Sequence, residues 1–228
     1  MGIFLRILSY FLKTIFTGKS FEATAALTET YAAVGVIEKL VKAMKHILSD
    51  FSVDAFGNVI KKQDDVGSRP ALRLASKLLT RLVHTNCQNL GTNNPNSLLQ
   101  QLEASLTSES GLCQRLLSES DTRADCLSWI NRLLKFGLGV NLAQREVIPV
   151  MGALIVDNPG SGSNSGKDIT VMRRLFSCLC TLRKLRPEVG IDLQMVKVLA
   201  MRLQEDPGEL RQAVQEAVED LSTCEIMV

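Results

Sequence analysis

A chain of 228 residues with 46% hydrophobic and 22% charged side chains is long enough to bury a substantial core and is composed as folded proteins are. Aromatic residues make up only 5%, and Leu, Val, Ile and Ala supply most of the apolar surface, which favours packed helices over an aromatic-rich β-sandwich. The formal net charge of +2 removes any global electrostatic case for a nucleic-acid binder, yet the ends differ in sign: residues 1–90 carry 12 basic and 7 acidic side chains, residues 191–228 carry 3 and 8.

The first segment, MGIFLRILSYFLKTIF, predicts a helix over residues 3–17. Its apolar arc is wide, including Phe4, Leu5, Leu8, Phe11, Leu12, Ile15 and Phe16, against a narrow polar strip of Arg6, Ser9, Lys13 and Thr17. Arg6 and Lys13 interrupt it well short of the roughly 20 apolar residues that a bilayer span needs. It reads either as a helix buried between neighbours or as an interfacial membrane helix whose cations meet anionic headgroups. With three basic residues and no acid in 1–21, a mitochondrial presequence is also compatible, and otherwise the expected location is cytoplasmic, with membrane association as the alternative.

Ser20 is placed to cap a second, long helix reaching about Leu48, with Leu27, Tyr31, Val34, Ile37, Val41, Met44 and Leu48 on its buried edge. Residues 51–68 hold Gly, Asn and Asp clusters and read as a connection with a short hairpin at Gly57-Asn58. Pro70 fits the first position of a helix to about His84. On that helix Arg73, Lys77 and Arg81 recur every four residues, with Arg69 before them, opposite Leu72, Ala75, Leu79 and Leu82. This one-signed stripe is either a solvated face or a surface for an acidic partner or anionic lipid. Arg173 and Arg174, followed by Arg183, Lys184 and Arg186, form a second basic group. No aromatic residue interleaves with either group, so a stacking platform for single strands is missing and nucleic acid is the weaker partner class.

Beyond an Asn/Gly/Pro stretch at 89–96 come short helices carrying Leu98, Leu99, Leu102 and Leu106, then Leu112, Leu116 and Leu117. Asp121 is the expected cap of the next helix, whose apolar residues Leu127, Trp129, Ile130, Leu133, Leu134 and Phe136 cover more than one face and place it centrally; Gly137 ends it. Residues 147–156 read as a short buried helix started by Pro149. A flexible linker is expected over 157–167, and helices over about 169–185, 191–204 and 207–222. The last opens Asp206-Pro207-Gly208-Glu209, a capping box.

That C-terminal pair of helices, with Asp206, Pro207, Leu210, Arg211, Ala213 and Ala217, resembles one repeat of HEAT-type helical solenoids, and Pro70, Leu72, Arg73 and Ala75 partly repeat the theme. The resemblance, to HEAT/armadillo-type helical repeat proteins, implies amphipathic helices stacked on their neighbours, and an arginine at Arg73 paired internally. The expected fold is therefore all-α, an irregular helical-repeat stack or a bundle of about nine helices. Its expected divisions are an N-terminal amphipathic helix (1–18), a helical domain (19–156), the linker (157–167) and a continuation of the same stack (168–228).

Catalytic and cofactor chemistry finds no constellation in this sequence. Ser161 to Asp168 imitates a phosphate-binding loop, but its first Gly is displaced and Asp168 stands where a hydroxyl should hold magnesium. His46 and His84 have no second ligand at metal spacing, and Cys178 and Cys180 point to different faces of one helix. Four of the six cysteines fall on apolar helical positions, where a thiol behaves as a small hydrophobe. Neither a metal nor a cofactor is expected. The function this implies is a non-enzymatic helical scaffold or adaptor for protein–protein interaction, with a peripheral membrane protein as the alternative and a nucleic-acid-associated protein after it. Ile226 and Val228 also suit a PDZ-type tail.

Overall fold

The protein's computed structural model describes residues 35–49, 51–53, 59–61, 68–88, 97–157, 166–204, 210–212 and 214–215. The described residues are overwhelmingly helical and divide into two compact units, one ending at Arg115 and the other beginning at Leu116. The expected first helix, the core of the linker and the Asp206–Glu209 capping box lie outside the described residues, as do Cys224 and the C-terminal tail.

In the first unit, helix α1 spans Val36–Ser49. The expected uninterrupted helix from Ser20 is corrected here, because Gly35 has φ +64°, a left-handed backbone that a right-handed helix cannot run through. Its carbonyl accepts from the Lys39 amide at 3.1 Å, so α1 starts beside it. Ile37, Leu40, Val41, Met44, Ile47 and Leu48 are all buried, at the three- and four-residue spacing of a single face. Strands β1 (Phe51–Val53) and β2 (Val59–Lys61) pair antiparallel, Phe51 opposite Lys61 and Val53 opposite Val59. They flank Gly57-Asn58, where the sequence places a hairpin, and β1 meets α1.

Helix α2 runs Ser68–Gln88, a turn longer at its C-terminal end than expected. Pro70 is its third residue rather than its first. The position still tolerates proline, because the first four amides of a helix have no intrahelical partner to lose. Leu72, Ala75, Leu78, Leu79, Leu82 and Val83 are buried. Helix α3 (Ser97–Ser108) contributes Leu98, Leu99, Leu102 and Leu106, and α1, α2 and α3 pack against one another to form the core of this unit. Helix α4 (Leu112–Ser118) contains the division between the units.

The second unit is organised around helix α5, Arg123–Lys135, whose Cys126, Leu127, Trp129, Ile130, Leu133 and Leu134 are buried on several sides as the sequence requires of a central helix. Its cap is Thr122, not Asp121. Thr122 is fully buried and its hydroxyl donates to the Leu116 carbonyl at 2.7 Å, while Arg123 donates through Nε to Leu117 O at 2.8 Å and through Nη2 to Ser118 O at 3.2 Å. The last carbonyls of α4, which have no helical partner, are thereby satisfied by the two residues that begin α5. At the far end, Gly137 (φ +73°) closes α5 as expected: its amide bonds Leu134 O and the Leu138 amide bonds Leu133 O, a Schellman motif.

Helix α6 (Val140–Glu146) is not foreseen by the sequence, and its Glu146 is 1% exposed, paired with Arg145 Nε at 2.9 Å. A 3-10 turn, Ile148–Val150, then leads into α7, Met151–Asp157. Pro149 does start this stretch, but the expected buried helix is only half buried: Met151, Leu154 and Ile155 face inward while Val156 is 74% exposed. Helix α8 spans Gly166–Leu185, beginning inside the expected linker, and packs along α5; α9 spans Leu193–Leu203 and packs on α8. Asp192 caps α9, its Oδ1 accepting from the Gln194 amide at 2.9 Å. Arg202 on α9 donates to the Ile155 carbonyl at 2.6 Å, which ties α9 to α7. Leu210 to Gln212, with Val214 buried, are the described part of the following helix.

Candidate functional site

The basic stripe of the first unit is exposed as its spacing predicts. Arg69, Arg73, Lys77 and Arg81 all lie on the solvent side of α2, opposite the buried Leu72, Ala75, Leu79 and Leu82. Among the described residues none of these four cations makes an ion pair. The internal partner that a HEAT-type repeat implies for Arg73 is therefore not seen, and the face carries four positive charges at helical pitch with no described acid to neutralise them. Elsewhere in this unit acids and bases do pair: Lys42 with Glu38 one turn before it, and Lys45 with Glu109.

Arg173 and Arg174 belong to the second unit and sit differently. Both are half buried on α8, beside a groove of about 470 Å³ between α8 and α5. The α5 wall presents Ser128, Asn131, Arg132 and Lys135, which recur at three, four and seven residues and so share one helix face. The α8 wall presents Thr170, Arg173, Arg174 and Ser177 at the same spacing, and Leu210 closes one side. Each wall thus begins with a hydroxyl and carries two cations, with an amide beside them on α5 and a second hydroxyl on α8. No acidic residue lines the groove among the described residues.

Hydrogen bonds across the seam hold these walls in register. Arg174 donates through Nη1 to the Ala124 carbonyl, and Asn131 Nδ2 donates to the Arg174 carbonyl at 2.7 Å. That second bond fixes which way the amide faces, since turning it would set two oxygens together. Asn131 Oδ1 is left buried with no partner, an arrangement that costs about 1–3 kcal/mol and is uncommon in a packed seam. Asn131 and the α5 cations were absent from the sequence reading of this surface. The signal that would have found them is the matching spacing of the two polar faces, Ser128/Asn131/Arg132/Lys135 and Thr170/Arg173/Arg174/Ser177.

The remaining candidates are quickly placed. Cys113, Cys126 and Cys178 are buried thiols outside any disulfide, and Cys180 is half buried. Burial pushes the Cys178 thiol up to about 12, with the neighbouring Cys180 adding to the effect, so it is a poor nucleophile. His46 and His84 are exposed, and no group of three or more metal-binding side chains occurs among the described residues. No described helix is long and apolar enough to cross a membrane. The apolar face from Phe4 to Phe16 and most of the Ser161–Asp168 loop lie outside the described residues, although Gly166, Lys167 and Asp168 fall in the first turn of α8. Comparison with family models, with curated proteins and with solved structures finds no match to this chain.

Proposed function

We propose that this chain is a non-enzymatic helical adaptor, of the stacked-helix kind that its HEAT-like C-terminal residues resemble, and that it engages an acidic protein surface through the α2 stripe. The observation that carries this reading is the exposure of Arg69, Arg73, Lys77 and Arg81 on one face, without an ion pair among the described residues. Folding places charges in such an arrangement at a small repulsive cost, and nothing in the packing of α2 requires it, because the opposite face alone supplies the buried side chains. One-signed faces of this kind accelerate encounter with partners of opposite sign and discriminate against others.

The test is charge reversal, Arg73→Glu/Lys77→Glu/Arg81→Glu, with poly-glutamate as the acidic probe and anionic vesicles and a DNA duplex as the competing classes. Binding of the native chain to poly-glutamate is expected to weaken with salt and to vanish in the variant, whereas its melting temperature changes little, since exposed charges contribute roughly 0–1 kcal/mol each. Preference for vesicles, abolished by removing residues 1–18, points instead to membrane anchoring. Preference for the duplex points to nucleic acid, and a large fall in melting temperature makes the stripe structural.

A further inference from the structure

Resting on the α2 stripe as an acid-binding face, we propose that its occupant is a second copy of this chain, which presents its own acidic C-terminal segment, residues 205–228. That segment carries seven acidic side chains and one basic, Arg211. The opposite sign stands on α2, where Arg69, Arg73, Lys77 and Arg81 are exposed along one face. Each copy therefore holds one surface of each sign. A net charge of only +2 leaves little general repulsion between copies, so the separated charges decide how two of them meet.

The spacing of the two sets of charges also matches. From Arg69 to Arg81 the stripe rises about 18 Å along α2, at one cation per turn. The acids lie outside the described residues, and their spacing is a property of the sequence. On the helix expected over 207–222, Glu209, Glu216 and Asp220 share one narrow arc and span about 17 Å. That arc is set apart from the Leu210, Val214, Ala217 and Leu221 edge, of which Val214 is buried. Ladders of equal length allow several ion pairs to form together, which matters because one exposed pair contributes little. Helix stability gives no reason for Glu219 and Asp220, since acids near a helix C-terminus oppose its dipole. The packing of α2 likewise gives none for its cations.

Sedimentation velocity of the full chain over a concentration series tests this. The sedimentation coefficient should rise with concentration at about 0.01 M salt, where charges act over about 30 Å, and stay constant at 1 M, where they act over about 3 Å. Arg73→Glu/Lys77→Glu/Arg81→Glu and Glu216→Lys/Glu219→Lys/Asp220→Lys should each weaken self-association about tenfold or more. An equimolar mixture of the two variants should associate again, because each then offers the sign that the other lacks. Should the acidic variant fail to fold, a peptide of residues 207–228 added to the native chain is expected to disperse the association, and the same peptide with its acids replaced by Gln to leave it intact. A coefficient that stays constant with concentration at low salt overturns the proposal, as does self-association that survives the stripe reversal. If the native chain still binds poly-glutamate through the stripe in either case, only the second copy as its partner is lost. Loss of that binding as well removes the acid-binding face itself.

Discussion

Cys178 is a residue whose chemistry is set by its surroundings rather than its type. Fully buried on α8, its thiol is raised from 9.0 to about 12, so the folded chain keeps the proton over a range in which the unfolded chain releases it. A raised acid stabilises the native state fully below the unfolded value and loses that contribution as pH climbs from 9.0 toward about 12. Denaturant unfolding should therefore weaken by about 1.4 kcal/mol per pH unit through that window, relative to Cys178→Ala measured alongside. The same burial predicts that alkylating reagents leave Cys178, Cys113 and Cys126 unmodified until the chain is unfolded. Burial of these thiols was legible in the sequence, since each occupies an apolar position of a helical pattern. The role of Arg123 was not: one guanidinium closing the carbonyls of Leu117 and Ser118 looks in sequence like any surface arginine.

Gly137 and Gly139 separate two reasons for glycine within one element boundary. Both have positive φ, +73° and +68°, but a Cβ at Gly137 meets open space whereas one at Gly139 lies 3.0 Å from the Cβ of Leu133. Gly137→Ala should cost about 1–2 kcal/mol, the strain of a left-handed alanine. Gly139→Ala should cost more, since Leu133 is wholly buried in α5 and has little room to yield. Melting curves of the two variants rank them, and an equal loss would show that Leu133 gives way. Element identity was readable from apolar spacing throughout α1, α2, α3 and α5. Boundaries were less so: Gly35 interrupts an otherwise continuous amphipathic pattern, and only its left-handed backbone shows that α1 starts beside it. Helix α6 escaped because seven residues span about two turns, too few for a periodicity to stand out.

Two compact units, each with its own buried apolar side chains, make up the molecule. The single tryptophan, Trp129, is fully buried in the second unit, whereas helical circular dichroism reports on both. Chemical unfolding should give a fluorescence transition that does not coincide with the dichroism transition, as two separately cored units require, and coincident curves would mean one cooperative fold. That the chain is helical followed from the sequence alone, because apolar residues recurring at three and four leave only a helix able to bury them together. The exposure of the α2 stripe followed likewise, since one helix wheel separates Arg73, Lys77 and Arg81 from Leu72, Leu79 and Leu82. The groove between α5 and α8 did not. Arg132 and Arg173 stand far apart in the chain on separate helices, and each polar face read alone is an ordinary solvent-facing strip. Only the packing of α5 against α8 decides which two polar strips become neighbours, and so where four cations meet.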